Sequence, residues 1–511
     1  MAFEDSPSNE PVPDNPLLFP PWAMPEREPL WVLLLGILMF AGLLYLTWER
    51  GASRIPPVSS DKIMSARLDT YQVEYWLYQQ VHGGKLATLI DGKETSDAIK
   101  AGDAWRDISD AVMHADAQAA RKNQNTSFYG AAYAASTSVN AAALYGAAGN
   151  LPGARAALAQ AIARDPAGAA VYRQLLALYQ PAAKPIALSP ATEQLLRRLS
   201  TAPLLRARNA QLTGNTSGVL AALRPGERAG RRGIITSLII GAFMVLVAVL
   251  FVLSLIYLIS NWLNISLVLH RSLLAVSEAP CWGIGAALIA VSMVFLSTWV
   301  LLGLLVHFGH IKANNDQLIV PLSGAVEILC AVVVLGLFLA VHNQHPFDWS
   351  IFGWHAAKKQ IGYGLATLLF VYPFVWLCIL LSSHIWKDNS ENPLITSLER
   401  TSNIWLIVSL IIVAVIVAPL VEETLFRGIL FRALGARMPF WGAALLSGFL
   451  FALGHGERVV IIPFTLLGVA FAFLARKTEN LWPSAAAHGV FNALSSVATL
   501  LFAWSMHGPG S

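Results

Sequence analysis

Long apolar runs divide the chain into membrane-like and polar regions. The first run extends from Leu30 to Trp48, and from Gly233 onward such runs follow one another with short polar breaks. A helix needs about 20 apolar residues to cross the hydrocarbon core of a bilayer. The pattern therefore predicts an N-terminal membrane anchor, followed by further spans near 233–260, 283–306, 320–342, 361–382, 404–425, 440–455, 459–475 and 483–504.

Residues 51–232 are instead rich in alanine and in charged residues, with proline and glycine breaks. Between Tyr145 and Tyr179 the pattern predicts two helices separated by Asp165 and Pro166. Residues of this stretch fall at the spacing of a tetratricopeptide helix pair, namely Gly149, Ala154, Leu158, Ala161 and Pro166. Such units normally stack on neighbouring repeats. A generic helical domain and a tetratricopeptide-like array therefore remain alternative interpretations of this extramembrane domain.

The predicted fold class is all-α, a polytopic transmembrane helical bundle with an inserted α-helical extramembrane domain. We expect a disordered tail over residues 1–29, because this stretch is acidic and proline-rich and lacks the basic start of a secretory signal. The other predicted domains are a transmembrane anchor over 30–48, the helical domain over 51–232, accessory transmembrane helices over 233–400 and a C-terminal core over 401–506.

Composition supports a membrane protein and argues against several other classes. Hydrophobic residues make up 55% of the chain and charged residues 13%, whereas soluble domains carry about 25% charged residues. The net charge is only +4 and no basic stripe with interleaved aromatic residues is present, so nucleic acid is not an expected partner. The three cysteines lie far apart and suit neither a disulfide framework nor a CxxC metal site. We expect a multi-pass protein of the bacterial inner membrane, with the lipid bilayer as one partner.

Charges in the loops give conflicting indications of orientation. The excess of basic residues in one set of predicted loops favours a non-cytoplasmic helical domain. Four arginines directly before the 233–260 span favour the opposite orientation, namely Arg224, Arg228, Arg231 and Arg232.

The segment that ends the 404–425 run carries two carboxylates and a guanidinium, from Glu422, Glu423 and Arg427. A charge at the centre of a membrane helix costs about 2.5–3.5 kcal/mol on insertion scales, so such groups usually face each other or a polar cavity. Glu423 and Arg427 are four residues apart and can pair on one helix face. Glu422 is rotated by about 100° and points elsewhere. Pro419 can kink the helix just before these residues.

Further polar positions lie in later apolar segments. His455 ends the 440–455 run, and His488 and Asn492 are four residues apart in the last run, hence on one face. A glutamate beside a histidine can activate water for attack on a peptide carbonyl, and a second histidine and an amide can stabilise the oxyanion. Alternatively, zinc could be held by Glu422, His455 and His488, although the HExxH arrangement is absent.

The ordered motifs EExxxR, FxxxH and HxxxN resemble those of the CAAX-protease and bacteriocin-processing (CPBP) family of intramembrane proteases. The resemblance covers about residues 400–505 and includes all seven signature positions, namely Glu422, Glu423, Arg427, Phe451, His455, His488 and Asn492. It implies a membrane-embedded helical core in which Glu422 and His455 activate the water. It also implies that His488 and Asn492 form the oxyanion hole, with Glu423 and Arg427 in support. By this resemblance no cofactor is expected, and zinc remains the alternative.

The expected function is an intramembrane endopeptidase that cleaves a membrane-associated peptide or protein. The alternative is a non-catalytic membrane scaffold or bacteriocin-immunity protein, which would bind a protein partner through residues 51–232. A third hypothesis is a transporter-like proton relay. It would use Glu327, a lone carboxylate in the run from Val320 to Val341, which could also be bonded to Ser323.

Overall fold

The structure is a computed structural model that describes residues 28–52, 60–84, 93–121, 130–261, 282–310, 316–341, 353–386 and 403–506. Within these ranges the regular structure is helical and no strand is present. The predicted all-α class is therefore confirmed. The expected tail over residues 1–29 lies outside the described residues up to position 27, so its disorder stays a prediction.

The helices of the described ranges are named here in chain order. They are α1 (Leu30–Ala52), α2 (Ser60–His82), α3 (Lys93–Arg121), α4 (Gly130–Ala147), α5 (Leu151–Arg164), α6 (Ala169–Leu176), α7 (Pro190–Leu196), α8 (Ala202–Gln211), α9 (Thr216–Ser260), α10 (Ile284–Phe308), α11 (Asp316–Val341), α12 (Trp354–Ile385), α13 (Ile404–Gly435), α14 (Phe440–Leu453), α15 (Ile461–Thr478) and α16 (Trp482–Met506).

Seven of the helices in the described ranges are long and apolar enough to cross a membrane, namely α1, α9, α10, α11, α12, α13 and α15. Side chains such as Leu38, Leu238 and Val332 on three of these helices are largely exposed. Such surfaces are stable against lipid rather than water. The chain is therefore a multi-pass membrane protein, as the hydrophobic pattern predicted.

The chain divides into two compact units, which we describe separately. The first unit contains residues 1–48, 247–386 and 411–492, and the second contains residues 49–246, 387–410 and 493–511. We call them the membrane-site unit and the helical-domain unit.

The helical-domain unit has a core made largely of alanine and leucine. The two helices predicted between Tyr145 and Tyr179 are present as α5 and α6, with a 3₁₀ turn at Pro166–Gly168 between them. Fully buried small and apolar residues line their packing, including Ala154, Leu158 and Ala161. The Tyr179 ring lies directly on Gly146, where a larger residue would overlap it. Small residues thus allow close helix packing here, while the tetratricopeptide-like interpretation stays a prediction.

Helix α13 of the membrane-site unit is longer and less regular than predicted. It contains two π-helical stretches, Val413–Val417 and Thr424–Leu430, with an α-helical segment at Ala418–Glu423 between them. The predicted span ended at residue 425, because Glu422, Glu423 and Arg427 interrupt the apolar run there. The helix instead continues to Gly435, since these charged groups are paired within the protein.

Helices α14 and α15 approach each other most closely where glycines meet. A Cβ atom on Gly468 would lie 2.6 Å from the Cα atom of Gly448 and 3.1 Å from Nη2 of Arg427. The backbones can come this close because neither residue carries a side chain.

We predict that Gly468→Ala destabilises the protein by about 1–3 kcal/mol, because the added methyl group overpacks this contact. The matched control is Gly442→Ala in α14, where the nearest atom to an added Cβ is Met438 Sδ at 3.5 Å. The measurement is thermal unfolding of the purified proteins in one detergent. Equal unfolding midpoints for the two variants would contradict the tight glycine contact.

Candidate active site

Glu423 and Arg427 form an ion pair inside the membrane-site unit. Arg427 Nη1 donates to Glu423 Oε1 at 2.9 Å, and both side chains are fully buried. This is the pairing that the four-residue spacing predicted, although the intervening turn is π-helical. Arg427 Nη2 also donates to the Gly468 carbonyl at 3.4 Å, which links α13 to α15. The pair therefore neutralises both charges and joins two helices.

His488 lies between the two neighbouring carboxylates. Its Nδ1 is 3.1 Å from Glu423 Oε1, and its Nε2 is 3.7 Å from Glu422 Oε2. The first distance is that of a hydrogen bond and the second is longer than one. The Glu422 side chain is 17% exposed, whereas that of Glu423 is 1% exposed. Glu423 thus holds the imidazole from the buried side, while Glu422 retains access to the surroundings.

Aromatic rings enclose the buried charges. The Arg427 guanidinium lies 4.5 Å from the centroid of the Phe451 ring and 5.3 Å from that of Phe471. His488 stacks on Phe471 with 5.3 Å between ring centroids. Cations are attracted to aromatic faces, and such rings also exclude water. These contacts fix the guanidinium and the imidazole relative to each other.

His455 lies at the end of α14 against the same aromatic group. Its Nδ1 is 3.0 Å from the Phe451 carbonyl, which leaves Nε2 as the nitrogen that can face a reactant. The ring contacts Phe464 with a centroid distance of 4.7 Å. Among the described residues, His455 and Glu422 form no hydrogen bond or ion pair with each other. The Phe451 ring contacts both His455 and His488, with centroid distances of 4.9 and 5.7 Å.

Asn492 contacts α13 through the backbone of its first π-helical stretch. Asn492 Nδ2 donates to the Ala414 carbonyl at 2.8 Å. In this stretch the backbone pairs over five residues, as in the bond from Ala418 to Val413. The next donor in that series would be residue 419, but it is proline and has no N–H. The amide of Asn492 therefore supplies the hydrogen bond that Pro419 cannot make.

Glu327 of α11 is a further acidic residue whose charge acts on the site, and the sequence did not predict it as a catalytic residue. Its carboxylate is close enough to that of Glu422 for their charges to interact. Ser323 donates to the Val320 carbonyl at 2.7 Å, within its own helix. Gly324, one turn away from Glu327, packs against the Val413 side chain of α13. The signal available in the sequence was a single carboxylate within an apolar run.

Two of the three candidate zinc ligands lie near each other, with 3.7 Å between His488 Nε2 and Glu422 Oε2. Within the described ranges, no group of three His, Cys, Asp or Glu residues is placed to hold a metal ion. His488 directs Nδ1 at Glu423 and His455 directs Nδ1 at a backbone carbonyl, which leaves Nε2 of each ring as the nitrogen that a metal would use. A catalytic zinc site needs three protein ligands about 2 Å from one ion. Zinc held by Glu422, His455 and His488 therefore stays the alternative to the metal-free prediction.

Comparison with known proteins gives a family match that contains these residues and a match to a curated relative. Residues 403–494 match the family described as type II CAAX prenyl endopeptidase Rce1-like. The chain is also 35% identical over 91 residues to the protein named "Putative membrane peptidase YdiL" of Bacillus subtilis (strain 168). This alignment covers 18% of the chain and 37% of that relative. The comparison with solved structures found no match.

The site and the matches together define a class. A buried ion pair, two histidines and an accessible glutamate lie on membrane helices, in the order of the three motifs. Residues 403–494 are similar to the type II CAAX prenyl endopeptidase Rce1-like family, which agrees with the CAAX-protease and bacteriocin-processing resemblance of the motifs. The chain spans just over a third of the length of the curated relative that it matches.

We predict that Arg427→Met destabilises the protein by about 3–5 kcal/mol, because it leaves the buried Glu423 carboxylate without its partner. Adding Glu423→Gln to Arg427→Met should restore part of the loss, since no unpaired charge then remains. Arg437→Met, at an exposed position of the same chain segment, is the control. Denaturation in detergent measures all three. If Arg427→Met and the double variant are equally stable, the proposed coupling between Glu423 and Arg427 is contradicted.

Proposed function

We propose that this protein is an intramembrane endopeptidase that hydrolyses a peptide bond in a membrane-associated peptide or protein. The observation that carries the proposal is a continuous series of polar contacts, each shorter than 4 Å, on helices of the matched region. The contacts join Glu422 to His488, His488 to Glu423, and Glu423 to Arg427. The curated relative is named as a membrane peptidase, which supports the same reaction class. We also propose the bacterial inner membrane as its location.

In the proposed mechanism Glu422 is the general base. It is the more accessible of the two carboxylates and is not engaged by Arg427 in a hydrogen bond. Glu422 takes one proton from water, and the water oxygen bonds to the carbonyl carbon of the substrate. The carbon–nitrogen bond then breaks, and the proton passes from Glu422 to the leaving amine. His455, through Nε2, would orient the water.

The remaining residues would stabilise the charge that develops on the carbonyl oxygen. His488 donates from Nδ1 to Glu423, so its Nε2 is fixed on the side of Glu422 and donates to the oxyanion when the ring carries both protons. Asn492 lies one helical turn from His488 on the same face of α16, and we assign its side-chain amide as a second donor to the oxyanion. Donors positioned before reaction stabilise an oxyanion without reorganisation. Glu423 and Arg427 act through His488 as positioning residues.

No metal ion is part of this mechanism. The chain supplies a base, an orienting imidazole and amide or imidazole donors, which are the groups that hydrolysis by activated water requires. The second candidate function, a scaffold or immunity protein that binds a partner through residues 51–232, uses none of these groups.

We predict that Glu422→Gln lowers kcat for cleavage of quenched peptides by about 10²–10⁴, the usual contribution of a general base. The protein is assayed in full length and in detergent, and Glu479→Gln, at an exposed glutamate, is the matched control. Cleavage by wild type should persist when a chelator is added. Loss of cleavage with chelator would support zinc, and unchanged cleavage by Glu422→Gln would exclude the proposed base.

The two possible roles of Asn492 can be separated by a double variant. We predict that Asn492→Ala lowers kcat by about 10²–10³ at unchanged KM, as expected for an oxyanion donor. Pro419→Ala restores a backbone N–H that can pair with Ala414. Combined with Asn492→Ala, it should recover stability but not kcat. If kcat also recovers in the double variant, Asn492 acts only by holding α13.

A further inference from the structure

Helix α9 of the helical-domain unit carries three exposed arginines on one face. Arg224, Arg228 and Arg231 are all exposed to solvent. At 100° per residue these positions fall within an arc of about 60° around the helix. We call this surface the arginine face.

The opposite face of α9 is buried and fixes the direction in which the arginines point. Gly226 packs on the Glu74 carboxylate of α2, and Gly230 packs on the backbone of Tyr71 in the same helix. A side chain at either glycine would overlap α2. The close contact between the two helices therefore holds the arginine face outward.

The exposed surface changes from basic to apolar along the same face. Ile235, Leu238 and Ile239 follow the arginines, are 42%, 68% and 43% exposed, and lie within a wider arc of about 100° centred on the same direction. At 1.5 Å per residue, Arg231 is about 6 Å and Arg228 about 10 Å before Ile235 along the helix. The headgroup layer of a bilayer is about 5–8 Å thick on each side of the hydrocarbon core. Exposed apolar side chains from Ile235 onward thus place the backbone of Arg231 at headgroup level, that of Arg228 at the outer edge of the layer and that of Arg224 about 16 Å before Ile235.

The charge of the arginine face is only partly compensated by the protein. Glu227 is 3.8 Å from Arg231, beyond hydrogen-bond distance, and the Arg231 side chain remains 69% exposed. Arg232, by contrast, lies over the Trp504 ring at 5.8 Å and is not part of this face. The surface therefore presents a net positive charge.

We propose that the arginine face, Arg224, Arg228 and Arg231, binds the headgroup phosphates of anionic phospholipids. Guanidinium groups bind phosphate oxygens in pairs and are the preferred side chains for this contact. A basic segment next to a membrane span is attracted to anionic lipid. The lipid is favoured over a free anion because the apolar continuation of the same face accommodates its acyl chains. Bound lipid would hold the helical domain at the membrane surface through α9.

The test uses the full-length protein in nanodiscs of phosphatidylcholine mixed with phosphatidylglycerol. The protein is then extracted in mild detergent, and the retained lipids are counted by native mass spectrometry. The test variant replaces Arg224, Arg228 and Arg231 by glutamine. The control replaces three exposed arginines outside α9 by glutamine, namely Arg173, Arg197 and Arg198. A third variant replaces the three arginines of the face by lysine and so keeps the charge.

Wild type and the control should retain phosphatidylglycerol in preference to phosphatidylcholine. In the glutamine variant of the face, the ratio of retained phosphatidylglycerol to phosphatidylcholine should fall roughly fivefold for each arginine removed. The lysine variant should keep most of this ratio. Circular dichroism checks that all variants are folded. Equal lipid retention by the two glutamine variants would overturn the proposal. Displacement of the lipid by inorganic phosphate, but not by chloride of equal ionic strength, would show a site for free phosphate and would also overturn it.

Discussion

The ion pair between Glu423 and Arg427 is the interaction on which the rest of the site depends. A lone carboxylate or guanidinium inside a membrane protein is costly, so each requires the other. Once paired, Glu423 Oε1 also accepts from His488, and Arg427 reaches the carbonyl of Gly468. Helices α13, α15 and α16 are thereby fixed at one point. The neighbouring Glu422, which the ion pair leaves accessible, is placed beside an imidazole whose orientation is already determined.

The irregular backbone of α13 has a cause in the sequence and a consequence for the site. Pro419 lacks the N–H that would satisfy the carbonyl of Ala414, and Asn492 provides that hydrogen bond from α16. His488 and Asn492 therefore both attach α16 to α13, one at a carboxylate and one at a backbone carbonyl. The spacing HxxxN therefore has a structural reason as well as a chemical one. His488 contacts Glu423 and Asn492 contacts Ala414, so two residues on one face of α16 hold both ends of the irregular part of α13.

Much of this arrangement could be predicted from the sequence. Apolar runs predicted the seven helices of the described ranges that are long and apolar enough to cross a membrane, whereas the span predicted over 440–455 is a helix of only 14 residues. The helical period predicted the pairing of Glu423 with Arg427 and the shared face of His488 and Asn492. The π-helical turns could not be predicted, since they depend on a hydrogen bond between positions 414 and 492. The position of Glu327 beside Glu422 was equally inaccessible, because the packing of α11 on α13 is set by side-chain shape. The resemblance implied joint action of Glu422 and His455, yet in the described structure they are not bonded to each other.

The central claim is that Glu422 activates a water molecule that attacks the peptide carbonyl directly. The most direct test is a single turnover of a cleavable peptide in water enriched in the heavy isotope of oxygen, followed by mass spectrometry of both product and protein. The account predicts that the new carboxyl group of the product carries the label and that Glu422 does not. An unlabelled product together with label in Glu422 would instead show attack by the carboxylate itself and would contradict the account.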